Sequence, residues 1–182
     1  SFHCLVRAFI GFDVSQSTNQ PLPMQQYNQV LVTGASRGLG RALARGLLTL
    51  GHSVVLTARS GAALEQAAAV LRAEHGNRVN WIGADLTDPE SAQTLVQTVE
   101  TRFGTLDALV NNASTFYGGT LDGVNEAMWD ELIGSNLKAP LFLCKAAAPH
   151  LAKTNGSIVN ITDIHAERPM AKHVVYNIAK AG

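Results

Sequence analysis

From Gln29 onward, short runs of Val, Ile and Leu alternate with longer stretches in which apolar residues recur every three or four positions. The short runs are Val30–Thr33, Ser53–Thr57, Val79–Ile82, Ala108–Asn111 and Ser157–Thr162. Each is continuous rather than alternating, the pattern of a strand covered on both faces. Between them, Leu39, Leu43 and Leu47 recur at four-residue spacing, as do Leu95, Val99 and Phe103, and each set marks one face of a helix. Asp88 followed by Pro89 supplies an N-cap and a first helical residue for the second of these helices. A longer helix is expected from Glu126 to Leu151, kinked at Pro140. Alternation of this kind predicts an α/β domain with a doubly wound parallel sheet and helices on both faces.

The two ends break the pattern. Near the start, a short apolar stretch is interrupted by Arg7 and runs into a polar segment ending at Pro23. Residues 1–27 are therefore expected to be an N-terminal extension outside the fold, with Met24 a natural start and 28–182 the domain. The extension has no basic start, unbroken apolar run or small-residue cleavage site of the kind a secretory leader needs. The sequons at Asn112, Asn155 and Asn160 are then read as coincidence. The chain stops at Gly182 inside a helical pattern, so the sheet is expected to be incomplete on that side.

Composition narrows the partners. Of 182 residues, 46% are hydrophobic, enough for one core, and 14 basic side chains balance 14 acidic ones. Without basic blocks, neither nucleic acid nor an anionic membrane is an expected partner. Cys4 and Cys144 cannot form a disulfide framework, and no Cys/His spacing suits a metal. No apolar run is long enough to span a bilayer. The expectation is a cytoplasmic protein that acts on a small molecule.

The first strand leads into Thr33-Gly34-Ala35-Ser36-Arg37-Gly38-Leu39-Gly40, which opens directly into a helix. Glycines at this spacing permit a tight turn, close approach of backbone to a pyrophosphate and close helix–sheet packing, while the helix N-terminus offers N–H donors. This is a Rossmann-type dinucleotide site with Gly34, Ser36, Arg37, Gly38, Leu39 and Gly40 as its loop. After the second strand an NAD site usually carries an acid for the ribose hydroxyls. Here the residues are Thr57-Ala58-Arg59-Ser60. Arg59, Ser60 and Arg37 can meet a 2′-phosphate with charge-assisted bonds, so NADPH is the expected cofactor.

Four further segments complete a pattern: Asp85-Leu86, Asn111-Asn112-Ala113, Asn136, and Tyr176-x3-Lys180. With the glycine loop, they make residues 28–182 resemble the short-chain dehydrogenase/reductase family. The resemblance implies that Asp85 and Leu86 flank the adenine and that Asn112 and Ala113 support the cofactor. It further implies that Asn136, Tyr176 and Lys180 act in catalysis and that the protein assembles as a homo-oligomer, commonly a tetramer. The chemistry agrees. A tyrosine, with a free pKa of about 10, exchanges protons poorly at neutral pH, and a lysine one helical turn later favours its ionised form.

Thirteen residues before the tyrosine, where most of the family has serine, stands Asp163. A hydroxyl donates to a substrate carbonyl, whereas an ionised carboxylate only accepts and repels an oxyanion. Asp163 suits a substrate with ring N–H groups, and the Asp–Tyr–Lys spacing resembles the pteridine reductases. That likeness implies that Phe116 stacks on the pterin and that Ser114 touches both cofactor and substrate, making Ser114, Phe116, Asp163 and Tyr176 the substrate contacts. The glycine loop departs from it, with Gly38 where several pteridine reductases carry an arginine that helps hold the pterin. His165, Glu167 and Arg168 receive no catalytic role. Three readings stay open: an NADPH-dependent pterin or dihydrofolate-type reductase, a general carbonyl or 3-oxoacyl reductase, and a dinucleotide-binding module without turnover.

Overall fold

The structure, a computed structural model, describes residues 6–7, 28–59 and 61–182. Five parallel strands form the sheet: β2 (Gln29–Thr33), β3 (Ser53–Ala58), β4 (Val79–Gly83), β5 (Ala108–Asn111) and β6 (Ser157–Ile161). Their order across the sheet is β6-β5-β2-β3-β4. Two residues of the expected extension, β1 (Val6–Arg7), pair antiparallel with β6, Val6 opposite Ile161 and Arg7 opposite Asn160. The remainder of 1–27 lies outside the described residues.

Alternation within the strands sorts side chains to two faces. Val30, Val32, Val54, Leu56, Ala108 and Val110 pack under α1 (Gly38–Thr49) and α2 (Gly61–His75). Leu31, Val55 and Leu109 point the other way, toward α3 (Pro89–Phe103) and α5 (Ala139–Thr154). Both faces being covered explains why β2, β3 and β5 read as unbroken apolar runs. Each fully buried Leu or Val contributes about 1.5–3 kcal/mol of transfer free energy to this core. Toward the sheet's edges the covering thins, and every residue of β6 is partly exposed.

Helix boundaries show where local chemistry decides. Asp88 caps α3 as expected, its carboxylate accepting from the Glu90 N–H at 3.1 Å. In α1 the buried stripe is Gly40, Ala44 and Leu48, one position beyond the expected Leu39, Leu43 and Leu47, and Leu39 is half exposed. The expected long helix is two, α4 (Glu126–Ile133) and α5, joined by a wider π-helical turn over Gly134–Lys138. Pro140 sits in the first turn of α5, directly after the π-helical turn, so the interruption precedes it. A last helix, α6 (Val174–Ala181), docks on α4 through Leu132, Val175 and Tyr176.

The chain reverses its winding between β2 and β5, so the loops after these strands diverge and leave a crevice. A buried Asp107 fixes the lower end of the pair, accepting from the Gln29 N–H at 2.8 Å and the Thr105 hydroxyl at 3.1 Å.

Candidate active site

The crevice above β2 and β5 encloses about 550 Å³. It is lined by Gly34, Ser36, Arg37, Gly38, Leu39 and Gly40 on one side and by Asn112, Ala113 and Ser114 on the other. Arg59, Asp85 and Leu86 close its end. The two loops are tied together by Thr33, whose hydroxyl accepts from the N–H groups of Asn112 and Ala113, both at 2.9 Å. The Asn112 amide returns the contact, donating to the Thr33 carbonyl at 2.9 Å and to the Gly34 carbonyl at 3.4 Å.

Two glycines show what the crevice requires. A Cβ on Gly40 would stand 2.4 Å from the Gly34 oxygen and 2.5 Å from the Asn112 amide nitrogen, so only glycine lets α1 begin this close to the sheet. Gly38 has φ of 55° with nothing within 4 Å of an added Cβ, leaving a left-handed turn and open space at the helix N-terminus. Arg37 and Arg59 are exposed along the rim. The Asp85 carboxyl is held below its ordinary range by the Thr87 N–H and hydroxyl, against slight burial and with help from the Arg59 charge. A bare glycine floor, a helix N-terminus and two rim arginines fit a phosphorylated dinucleotide. Ser60 lies outside the described residues.

A second group of side chains gathers at the end of β6. The Tyr176 hydroxyl donates to Oδ2 of Asp163 at 2.7 Å, and Oδ1 accepts from the His165 N–H at 3.0 Å. Partial burial pushes the Asp163 carboxyl up, yet these two bonds and the charges of His165 and Lys180 together hold it below the usual carboxylate range. Lys180 donates to the Ile161 carbonyl at 3.4 Å, with its ammonium 5.8 Å from the Tyr176 ring centre. Asp163, Tyr176 and Lys180 are thus brought together as a unit.

Asn136 is buried in the π-helical turn. Its amide donates to the carbonyls of Thr115 and Leu132, both at 2.9 Å, and its oxygen accepts from the Ser114 hydroxyl. It therefore links the loop after β5 to the helix, and it lines a cavity of about 430 Å³ that Asp163 and Lys180 also face. Phe116 is 56% exposed, an unusual position for a large aromatic. Its ring meets Tyr176 edge-on, with centroids 4.8 Å apart, and lies parallel to His173 at 5.0 Å. A bridge between Gly119 and His173 pins that loop, the Gly119 N–H reaching the Lys172 carbonyl at 2.7 Å.

Thr33, His173 and a partly buried polar trio escaped the sequence reading. In the trio the Asn111 amide donates to Asn160 at 2.8 Å and to the Cys144 sulfur at 3.3 Å, while burial pushes that thiol up. Thr33 was signalled by its place beside the glycine loop. The others lie on separate elements and no spacing joins them. Among the described residues no cluster of His, Cys, Asp or Glu could hold a metal, and no helix is long and apolar enough to cross a membrane.

A doubly wound parallel sheet with a glycine-floored crevice at its winding reversal, and a Tyr–Lys pair beside it, defines a nucleotide-binding oxidoreductase scaffold. More narrowly, the chain belongs to the short chain dehydrogenase family, whose model matches residues 28–182. It is 36% identical over 140 residues to gluconate 5-dehydrogenase of Gluconobacter oxydans, covering 76% of this chain and 54% of that enzyme. L-sorbose reductase of Gluconobacter frateurii, solved with NADPH and L-sorbose, superposes with a TM-score of 0.81 at 30% identity, over 86% of this chain and 60% of that one. A metagenomic short-chain oxidoreductase solved with NADP gives 0.78 at 38% identity, over 85% and 71%. None of these three is named for pterin chemistry, so the narrower likeness to pteridine reductases stands on the residues alone.

Proposed function

We propose that the protein is an NADPH-dependent reductase of a flat, nitrogen-bearing ring of the pterin or dihydrofolate kind. The observation that carries the reading is the carboxylate of Asp163, held ionised beside the Tyr176 hydroxyl where a ketone-reducing site wants a donor. NADP(H) on two of the similar structures and the rim arginines support the cofactor. In this reading Arg59 and Arg37, with Ser60, hold the 2′-phosphate, and Asp85 and Leu86 flank the adenine. Gly34, Ser36, Gly38, Leu39 and Gly40 cradle the pyrophosphate opposite Asn112, Ala113 and Ser114. When bound, the cofactor supplies the hydride.

The chain's own residues handle the proton. Tyr176 gives its hydroxyl proton to the reduced ring, and Lys180, on the same face of α6, stabilises the phenolate left behind. Asp163 accepts an N–H of the substrate and aims the tyrosine. Asn136 and Ser114 join the loop after β5 to the π-helical turn beside the reacting centre. Phe116 offers an aromatic surface for a flat ring. The same reading takes the protein as a cytoplasmic homo-oligomer, a tetramer by family likeness.

A second reading, a general carbonyl or 3-oxoacyl reductase, is favoured by the similarity to a gluconate dehydrogenase and a sorbose reductase. Turnover of NADPH by the full-length protein with dihydropterin and ketone substrates side by side decides between them. Asp163→Ser should cut pterin reduction by about 10²-fold or more, the scale of a positioned acid–base group, and leave ketone reduction steady or raised. Phe116→Ala should weaken pterin binding by about 1–3 kcal/mol, as loss of ring stacking does elsewhere, and spare NADPH. Pterin turnover untouched by both changes would move the protein to the carbonyl class, and NADPH binding without turnover of either substrate would leave a binding module.

A further inference from the structure

The stack between Phe116 and His173 joins two segments far apart in the chain, the loop after β5 and the residue that opens α6. The rings are 11° from parallel with centroids 5.0 Å apart, within the range of an offset stack. Further contacts hold the histidine in place. Its Nδ1 lies 2.9 Å from the Ala171 carbonyl oxygen. The edge bearing Nε2 and Cε1 rests on Gly118, where an added Cβ would stand 3.2 and 3.3 Å from those atoms. Its backbone is bridged to Gly119, and the next N–H, that of Val174, reaches the Gly119 carbonyl at 3.3 Å. Phe116, by contrast, leaves more than half of its surface exposed. The histidine is the anchored member of the pair and the phenylalanine the exposed one.

An exposed aromatic side chain turns among rotamers, and ordering it opposes the binding of a flat ligand. A ring already held in one plane removes that penalty. Tyr176 meets the same phenyl ring edge-on at 4.8 Å, so the plane that His173 sets lies beside the tyrosine. We propose that His173 is a positioning residue for the substrate, its imidazole plane pre-ordering Phe116 as the stacking surface for a flat, nitrogen-bearing ring. The proposal rests on the reading of Phe116 as a substrate contact. It requires the imidazole to act as a plane and not as a donor, so the stack and the contact with Ala171 must be separable.

Two substitutions separate them in the full-length protein. His173→Asn keeps a donor for the Ala171 carbonyl and removes the ring, whereas His173→Phe keeps a flat ring and removes the donor. Dihydropterin is titrated onto the protein holding NADP, which has no hydride to give, so affinity is read without turnover. His173→Asn should weaken dihydropterin binding by about 3–10-fold, the scale of an aromatic pair, while His173→Phe should rescue the parent's affinity. In a Phe116→Ala background the same His173→Asn change should bring no further loss, because its effect runs through that ring. With NADPH supplied, the loss should appear in KM for dihydropterin and not in kcat. Parent-like affinity in His173→Asn overturns the proposal and leaves the reductase reading intact. An equal loss in His173→Phe, which would assign the effect to the Ala171 contact, does the same, as does a loss that persists without Phe116. A fall in kcat with KM unchanged would place His173 behind Tyr176 and also overturns it. A parent that binds no dihydropterin overturns both this proposal and the pterin reading.

Discussion

The crevice over β2 and β5 and the corner at the end of β6 are built in opposite ways. The first is made of backbone: a glycine floor, a helix N-terminus, and two loops tied by the Thr33 hydroxyl. The second is made of side chains from three places, Asp163 after β6, Tyr176 and Lys180 on α6, and Asn136 in the turn before α5. Backbone donors can grip any phosphorylated dinucleotide, and they leave little room for variation, since a single Cβ fills the space. Side chains on separate elements can be exchanged one at a time, and in the proposed reading an aspartate in place of a serine selects the substrate. One region keeps a shared cofactor and the other is free to specialise.

If that contrast holds, changes in the two regions should split binding from turnover. Tyr176→Phe should lower turnover by about 10²–10⁴-fold, the usual contribution of general acid catalysis, with NADPH affinity by fluorescence titration unchanged. A parallel loss of NADPH affinity would mean that the corner also builds the cradle. Gly40→Ala should do the reverse. Its methyl must displace the Gly34 carbonyl, overpacking that costs about 1–3 kcal/mol, read as a lower melting temperature together with weaker NADPH binding. Most selective is Arg59→Ala at the crevice rim. It should weaken NADPH by about 1–3 kcal/mol, the value of a charge-assisted bond, and leave NADH nearly unchanged in the same titration. Equal losses for both cofactors would place Arg59 outside the phosphate site.

The same contrast sets what could be read from the sequence. Gly34, Gly38 and Gly40 act within one turn of chain, so their spacing displays their purpose. Asp88 at the head of α3 was legible for the same reason, because a cap reaches only two residues ahead. The α1 stripe was misplaced by one residue because Leu39, apolar like a core residue, faces the crevice, and the close approach to the sheet belongs to Gly40. Pro140 drew the eye as a kink, while the true break at Gly134–Lys138 opens on Gly134-Ser135, a weaker signal than a proline. Asp163 stood out against the family pattern, but its bond to Tyr176 depends on how α6 packs back toward the end of β6.

The π-helical turn has a consequence for how the chain tolerates change. In an α-helix each residue advances the face by about 100°, so one residue more or less in Gly134–Lys138 would turn everything beyond it by that amount. Before the turn, Leu132 faces α6 and Tyr176; after it, Leu143, Ala147 and Leu151 face the sheet. The wide turn sets the phase between these two faces, with Asn136 at the point of adjustment. Substitutions along α4 and α5 leave that phase alone, while a single-residue deletion between Gly134 and Lys138 would swing the core face of α5 away from the sheet. Here the length of the chain is held more tightly than most of its letters.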